Sequence, residues 1–239
     1  MSAGQTLLLV VLQNAILLAL TLGAFWAGVF VLRRTGRALS YSLSPLGLAR
    51  PAGGMPVGLA LGVAVGVGAL AASIPINLAT RFIFERMGYP VESTVQEPLM
   101  QGLRVWISEN PAVAIPAAVL VVVIIGPAVE ELVFRGALFN GLYRLGNLLG
   151  RRLGEPKAGR SAAEKASFAL AAVLSSAVFA LLHLEPVLLP ALFLLSVGLC
   201  YLFARTGSLL PPFVAHAVFN SFATIVVILS AFDLVSPPV

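Results

Sequence analysis

Apolar residues in this chain run in long unbroken blocks, and nowhere do they alternate with polar ones at the period of a half-buried strand. Blocks stand at about residues 6–32, 54–78, 111–146, 167–184, 187–204 and 210–232. Most are close to or above the roughly 20 residues that a bilayer-crossing helix needs. In lipid a backbone finds hydrogen-bond partners only within a helix or a closed barrel. A barrel needs short alternating strands, so the pattern predicts an all-α, polytopic transmembrane bundle of six to eight membrane helices.

Composition agrees: 59% of the 239 residues are hydrophobic, 10% are charged, and the mean hydropathy is +0.99. The first block is too long for a signal-peptide core and has no basic segment before it, so it reads as a retained span. The net charge of +5 does not point to nucleic acid, because the basic residues flank the spans. Arg33, Arg34, Arg37 and Arg50 lie after the first block, and Arg144, Arg151, Arg152, Lys157, Arg160 and Lys165 surround the loop before the fourth. Residues 80–109 balance Arg81, Arg86 and Arg104 against Glu85, Glu92, Glu97 and Glu109. The positive-inside rule then makes the first two groups cytoplasmic and places the amino terminus outside. An integral, multi-pass membrane protein is expected, in the plasma membrane if the source is prokaryotic.

The longest polar connection, 80–109, has Trp106, Phe82 and Phe84 at headgroup-seeking positions. The stretch "GEPKAGRSAAEKA" reads as a solvated connector, with "SAAE" a capping box that starts a helix at Ser161. No internal repeat suggests the inverted halves of a transporter. The single cysteine, Cys200, sits in the apolar run "LLSVGLCYLF" and reads as a small core residue.

The informative residues are those that lipid disfavours, since an ionisable group near the bilayer centre costs about 2.5–3.5 kcal/mol on insertion scales. "GPAVEELVFRG" (126–136) holds three. On a helix Glu131 and Arg135, four apart, share a face with acid before base. Glu130 points about 100° away and is left without a partner in its own helix. Phe179 and His183 in "FALLH" have the same spacing, as do His216 and Asn220 in "HAVFN". Gln13, Asn14, Ser73 and Asn77 read as interhelical hydrogen-bonding glue.

A free carboxylate, two imidazoles and a carboxamide are parts for hydrolysis. A carboxylate in apolar surroundings accepts a proton from water more readily, and imidazole and carboxamide groups can meet an oxyanion. No serine or cysteine nucleophile motif is present. Glu130, His183 and His216 also permit a zinc site with an open position, although there is no HExxH pair.

"EELVFR", "FALLH" and "HAVFN" resemble, in order, the EExxxR, FxxxH and HxxxN motifs of the CPBP family, the Abi or Rce1-like intramembrane proteases. That family includes CAAX prenyl endopeptidases and bacteriocin-processing or immunity proteins. The resemblance implies a membrane helical fold and a metal-free glutamic endopeptidase acting on a peptide or membrane-protein substrate. It implies that Glu130 activates water, His183 holds it, His216 and Asn220 stabilise the oxyanion, Glu131 and Arg135 orient the site, and Phe179 packs its wall. It divides the chain into 1–109, a transmembrane hairpin with an amphipathic connecting segment, and a protease core at 110–235.

The competing readings are a non-catalytic scaffold or immunity protein using the same cavity, and a transporter. One conflict stands in the sequence. Simple end-to-end spans put His183 at the far end of its helix and His216 near the cytoplasmic start of another. Either a block between 166 and 205 does not cross fully, or the helix breaks at Gly126–Pro127.

Overall fold

Prolines open several of the helices, and glycines close some of them. The computed structural model describes residues 3–36, 40–91, 96–152 and 160–236. Helix α1 (Ala3–Arg34) is followed by a single turn, Ser44–Leu46. Helix α2 (Met55–Met87) has Pro56 in its first turn and ends at Gly88, whose φ of 73° favours a residue without Cβ. Helix α3 (Gln96–Glu109) leads to α4 (Pro111–Ala118), a π-helical stretch Val119–Ile125, α5 (Gly126–Glu131), a second π-helical stretch Leu132–Phe139, and α6 (Asn140–Arg152). Helices α7 (Arg160–Leu181), α8 (Leu189–Thr206) and α9 (Leu210–Ala231) complete the bundle. Proline again stands in the first turn of α8 and of α9, and Gly207 closes α8 at φ 65°.

Six helices are long and apolar enough to cross a membrane, and no strand occurs among the described residues. The chain is therefore an all-helical, multi-pass integral membrane protein. The second block runs on past residue 78 to Met87, so the polar stretch 80–109 divides into the last turns of α2 and the separate helix α3. Residues 154–159 of the expected connector lie outside the described residues; α7 already begins at Arg160, and the side chain of Ser161 is likewise outside them.

The break expected at Gly126–Pro127 does not occur. Pro111–Gly150 is one 40-residue helix, and Gly126 keeps right-handed helical angles, φ −52° and ψ −63°. The proline is accommodated by widening the preceding turns, a device that recurs at functional sites.

Helix α9 packs against α2, α3, α8 and the first π-helical stretch. Its contact with α2 depends on Gly58, Gly62 and Gly66, four residues apart and buried. A Cβ at Gly62 would lie 2.7 Å from Pro211 O, and one at Gly66 would lie 2.7 Å from Ala215 O. The backbones thus approach as closely as small residues permit. Helix α3 is tied to the end of α9 by Arg104, which donates to Ser230 O at 3.0 Å and to Asp233 at 3.1 Å.

At the opposite end, the segment between α1 and α2 forms a layer under the bundle. Asn140 Nδ2 donates to Pro45 O at 2.7 Å, Leu209 N to Gly47 O at 2.9 Å, and Ser208 Oγ to Ala49 O at 2.7 Å. Glu131 lies nine residues from Asn140 and His216 eight from Ser208, so both stand about 12–14 Å above this layer at roughly 1.5 Å per residue. Helix α7 begins beyond the layer. Ser167 meets Gly146 of α6, and Phe168 packs edge-on against Phe139 and Tyr143. Because α7 starts lower than α9, its last turns reach the depth of His216. This stagger resolves the depth conflict.

Candidate functional site

The site is built on α5 and the π-helical stretch after it, with walls from α7, α8 and α9. Glu131 and Arg135 are both fully buried, and Arg135 Nη1 donates to Glu131 Oε1 at 3.0 Å. Arg135 Nη2 donates to Ser196 Oγ at 2.8 Å, and its guanidinium lies 4.5 Å from the centre of the Phe179 ring. An arginine is retained at this depth because three different partners replace its hydration.

The same Glu131 oxygen accepts from His216 Nδ1 at 2.8 Å. A carboxylate already receiving an arginine has no hydrogen to offer, so Nδ1 carries the proton. His216 therefore presents Nε2 to the site. That atom lies 3.8 Å from Glu130 Oε2, beyond hydrogen-bond length and in the range that a bridging water spans. Glu130 has no closer ion-pair partner among the described residues, and its side chain is 27% exposed while that of Glu131 is 0% exposed. Two adjacent carboxylates thus have opposite circumstances: one is locked between two cations or donors, the other is open on one side.

Phe179 joins the two histidines. Its ring centroid is 4.6 Å from that of His183 and 5.7 Å from that of His216. His183 Nδ1 meets Phe179 O at 2.8 Å. A carbonyl only accepts, so Nδ1 again carries the hydrogen and Nε2 is the free acceptor. Asn220 lies one turn beyond His216 on α9, and its Nδ2 donates to Val122 O at 3.0 Å. The structure thus gathers Glu130, Glu131, Arg135, Phe179 and His216 directly, brings His183 against Phe179, and joins Asn220 to the backbone of the helix that carries the acids. Among the described residues no three His, Cys, Asp or Glu side chains are grouped so as to hold a metal ion.

Ser196 is a member of the cluster that the motif spacing does not mark. It is fully buried on α8, and the only signal for it is a hydroxyl in the middle of an apolar span. Two of the polar residues expected to act as interhelical glue bond within their own helices instead. Asn14 donates to Val10 O and Ser73 to Leu70 O, each within its own helix.

Fold and cluster together define a multi-pass helical membrane protein with carboxylate, guanidinium and imidazole side chains enclosed between its helices. Residues 112–222, a little under half of the chain, match the model of the family described as type II CAAX prenyl endopeptidase Rce1-like. All seven motif residues fall within this segment. Over 112 residues the chain is 29% identical to YdiL of Bacillus subtilis (strain 168), provisionally named a membrane peptidase. That stretch covers 47% of this chain and 38% of the length of YdiL. No solved structure matches the chain.

Proposed function

We propose that the protein is an intramembrane endopeptidase in which Glu130 activates water to hydrolyse a peptide bond of a membrane-associated or C-terminally processed substrate. The observation that carries this reading is the division of labour between the two glutamates. Glu131 is held by Arg135 and His216, whereas Glu130 is partly open and faces His216 Nε2.

In the proposed reaction Glu130 takes a proton from water as the water oxygen bonds to the carbonyl carbon. His216, protonated on both nitrogens and supported by Glu131, donates Nε2–H to the resulting oxyanion. His183 Nε2 accepts from the water and fixes its direction. When the C–N bond breaks, the proton held by Glu130 passes to the departing amine, leaving a carboxylic acid and an amine; the acid then gives its proton to the amine or to solvent. No step requires a metal. The family description and the name of YdiL support a membrane peptidase.

The test compares membrane proteomes from cells carrying the wild-type protein or Glu130→Gln, read for new peptide termini. Termini present only with the wild-type protein, with the variant folded and equally abundant, are the expected result. Full cleavage by Glu130→Gln would refute the mechanism. Loss of cleavage by the purified wild-type protein on removal of divalent ions, restored by zinc, would replace it with the metal reading.

A further inference from the structure

The helix carrying the two glutamates is held at one widened turn by residues from opposite ends of the motif region. In the stretch Val119–Ile125 the turns are those of a π-helix, and Gly126 N–H accordingly reaches Val121 O, five residues back. By the same register Val122 O is due the N–H of residue 127. Residue 127 is proline and has none. Inside a membrane an unmatched carbonyl finds no water to replace the missing donor. Asn220 Nδ2 fills the position from α9, at 3.0 Å.

We propose that Asn220 is a positioning residue: its carboxamide substitutes for the N–H that Pro127 lacks, and so fixes the widened turn that aims Glu130 and Glu131. The consequence is large for so small a contact. Val122 stands about two turns before the glutamates, and slipping the helix by one residue rotates every later side chain by about 100°. That is the angular separation of neighbouring side chains, so a slip would carry Glu130 toward the place of Glu131. The bond from Asn220 decides which glutamate faces His216 on α9 and which remains open; the pairing of Glu131 with Arg135, four residues apart on the same helix, turns with it. Among the described residues this contact joins the third motif to the backbone preceding the first.

The inference rests on the proposed catalysis only where it concerns Glu130; the Asn220–Pro127 relation stands without it. A double-mutant cycle tests that relation. Thermal unfolding of the full chain in detergent is measured for wild type, Asn220→Ala, Pro127→Ala and the double variant. Asn220→Ala is expected to lower the midpoint by several degrees when residue 127 is proline, because a partly buried carbonyl loses its donor. In the Pro127→Ala background, where residue 127 has an N–H, the decrease is expected to be less than half as large. Equal decreases in the two backgrounds would overturn the inference. If Asn220→Ala alone yields no folded protein, recovery of folded protein in the double variant supports it, and failure to recover overturns it.

Turnover gives a second reading. With proline at 127, Asn220→Ala is expected to lower kcat at least about tenfold with KM little changed, and the loss shrinks in the Pro127→Ala background. A variant with unaltered unfolding and the same kcat loss in both backgrounds would place Asn220 on the reacting carbonyl and overturn the positioning role. The thermal cycle reads the pair whether or not Glu130→Gln abolishes cleavage, so the two failures are distinguishable.

Discussion

Replacing Arg135 with methionine removes the cation around which the cluster is assembled, while leaving an apolar side chain of suitable reach. Arg135 is fully buried, with Glu131 at 3.0 Å, Ser196 at 2.8 Å and the Phe179 ring at 4.5 Å. After Arg135→Met, Glu131 keeps only His216 among its observed partners, and its second carboxylate oxygen has none even in the intact protein. Removing one member of a buried ion pair costs about 3–5 kcal/mol, mostly from the charge left behind. The lost contacts to Ser196 and Phe179 are parts of the same network, so they fall within that figure and are not added to it. If stranded charge dominates, Glu131→Gln combined with Arg135→Met recovers at least half the loss. The assay is thermal unfolding of detergent-solubilised protein at one fixed scan rate, since membrane proteins often unfold irreversibly. Arg135→Met as stable as wild type, or a double variant no more stable than Arg135→Met, would refute this account of the cluster.

Ser196→Ala removes a hydroxyl from a charged donor and is expected to cost about 1.5–3 kcal/mol in the same assay, while Ser196→Thr, which keeps the oxygen, retains most of the stability. On α2, Gly66→Val places a Cβ 2.7 Å from Ala215 O and is expected to separate α2 from α9, read as loss of the monodisperse peak on size-exclusion chromatography. Gly68→Ala, with nothing within 4 Å of the added carbon, leaves that peak unchanged and stabilises the helix by up to about 1 kcal/mol.

The spans and the motif residues were legible because both depend on short-range rules. Lipid forces long apolar runs into helices, and a spacing of four puts Glu131 beside Arg135 whether the turn is regular or wide. What could not be read depends on contacts between distant segments. Ser196 matters because α8 brings it to Arg135, 61 residues away in sequence, and nothing local distinguishes it from Ser73, which bonds its own helix. Gly126–Pro127 was visible as an irregularity, but a proline in a long apolar helix can break it, kink it or widen it. Which of these occurs was decided by Asn220, on another helix. The depth conflict between the histidines had a similar origin: the start of α7 is set by packing on α6 through Gly146 and Ser167, not by the edge of its apolar block.

The helices of this bundle are unequal rods. Helix α8 has 18 residues and α2 has 33, lengths of about 27 Å and 50 Å, against a hydrocarbon layer of about 30 Å. No single bilayer matches both. Thicker membranes strain the lipid around α8, and thinner ones force more inclination on α2, which the glycine contact transmits to α9 and its histidine. Acyl-chain length is thereby a mechanical variable for this molecule, and no one thickness relieves every helix at once.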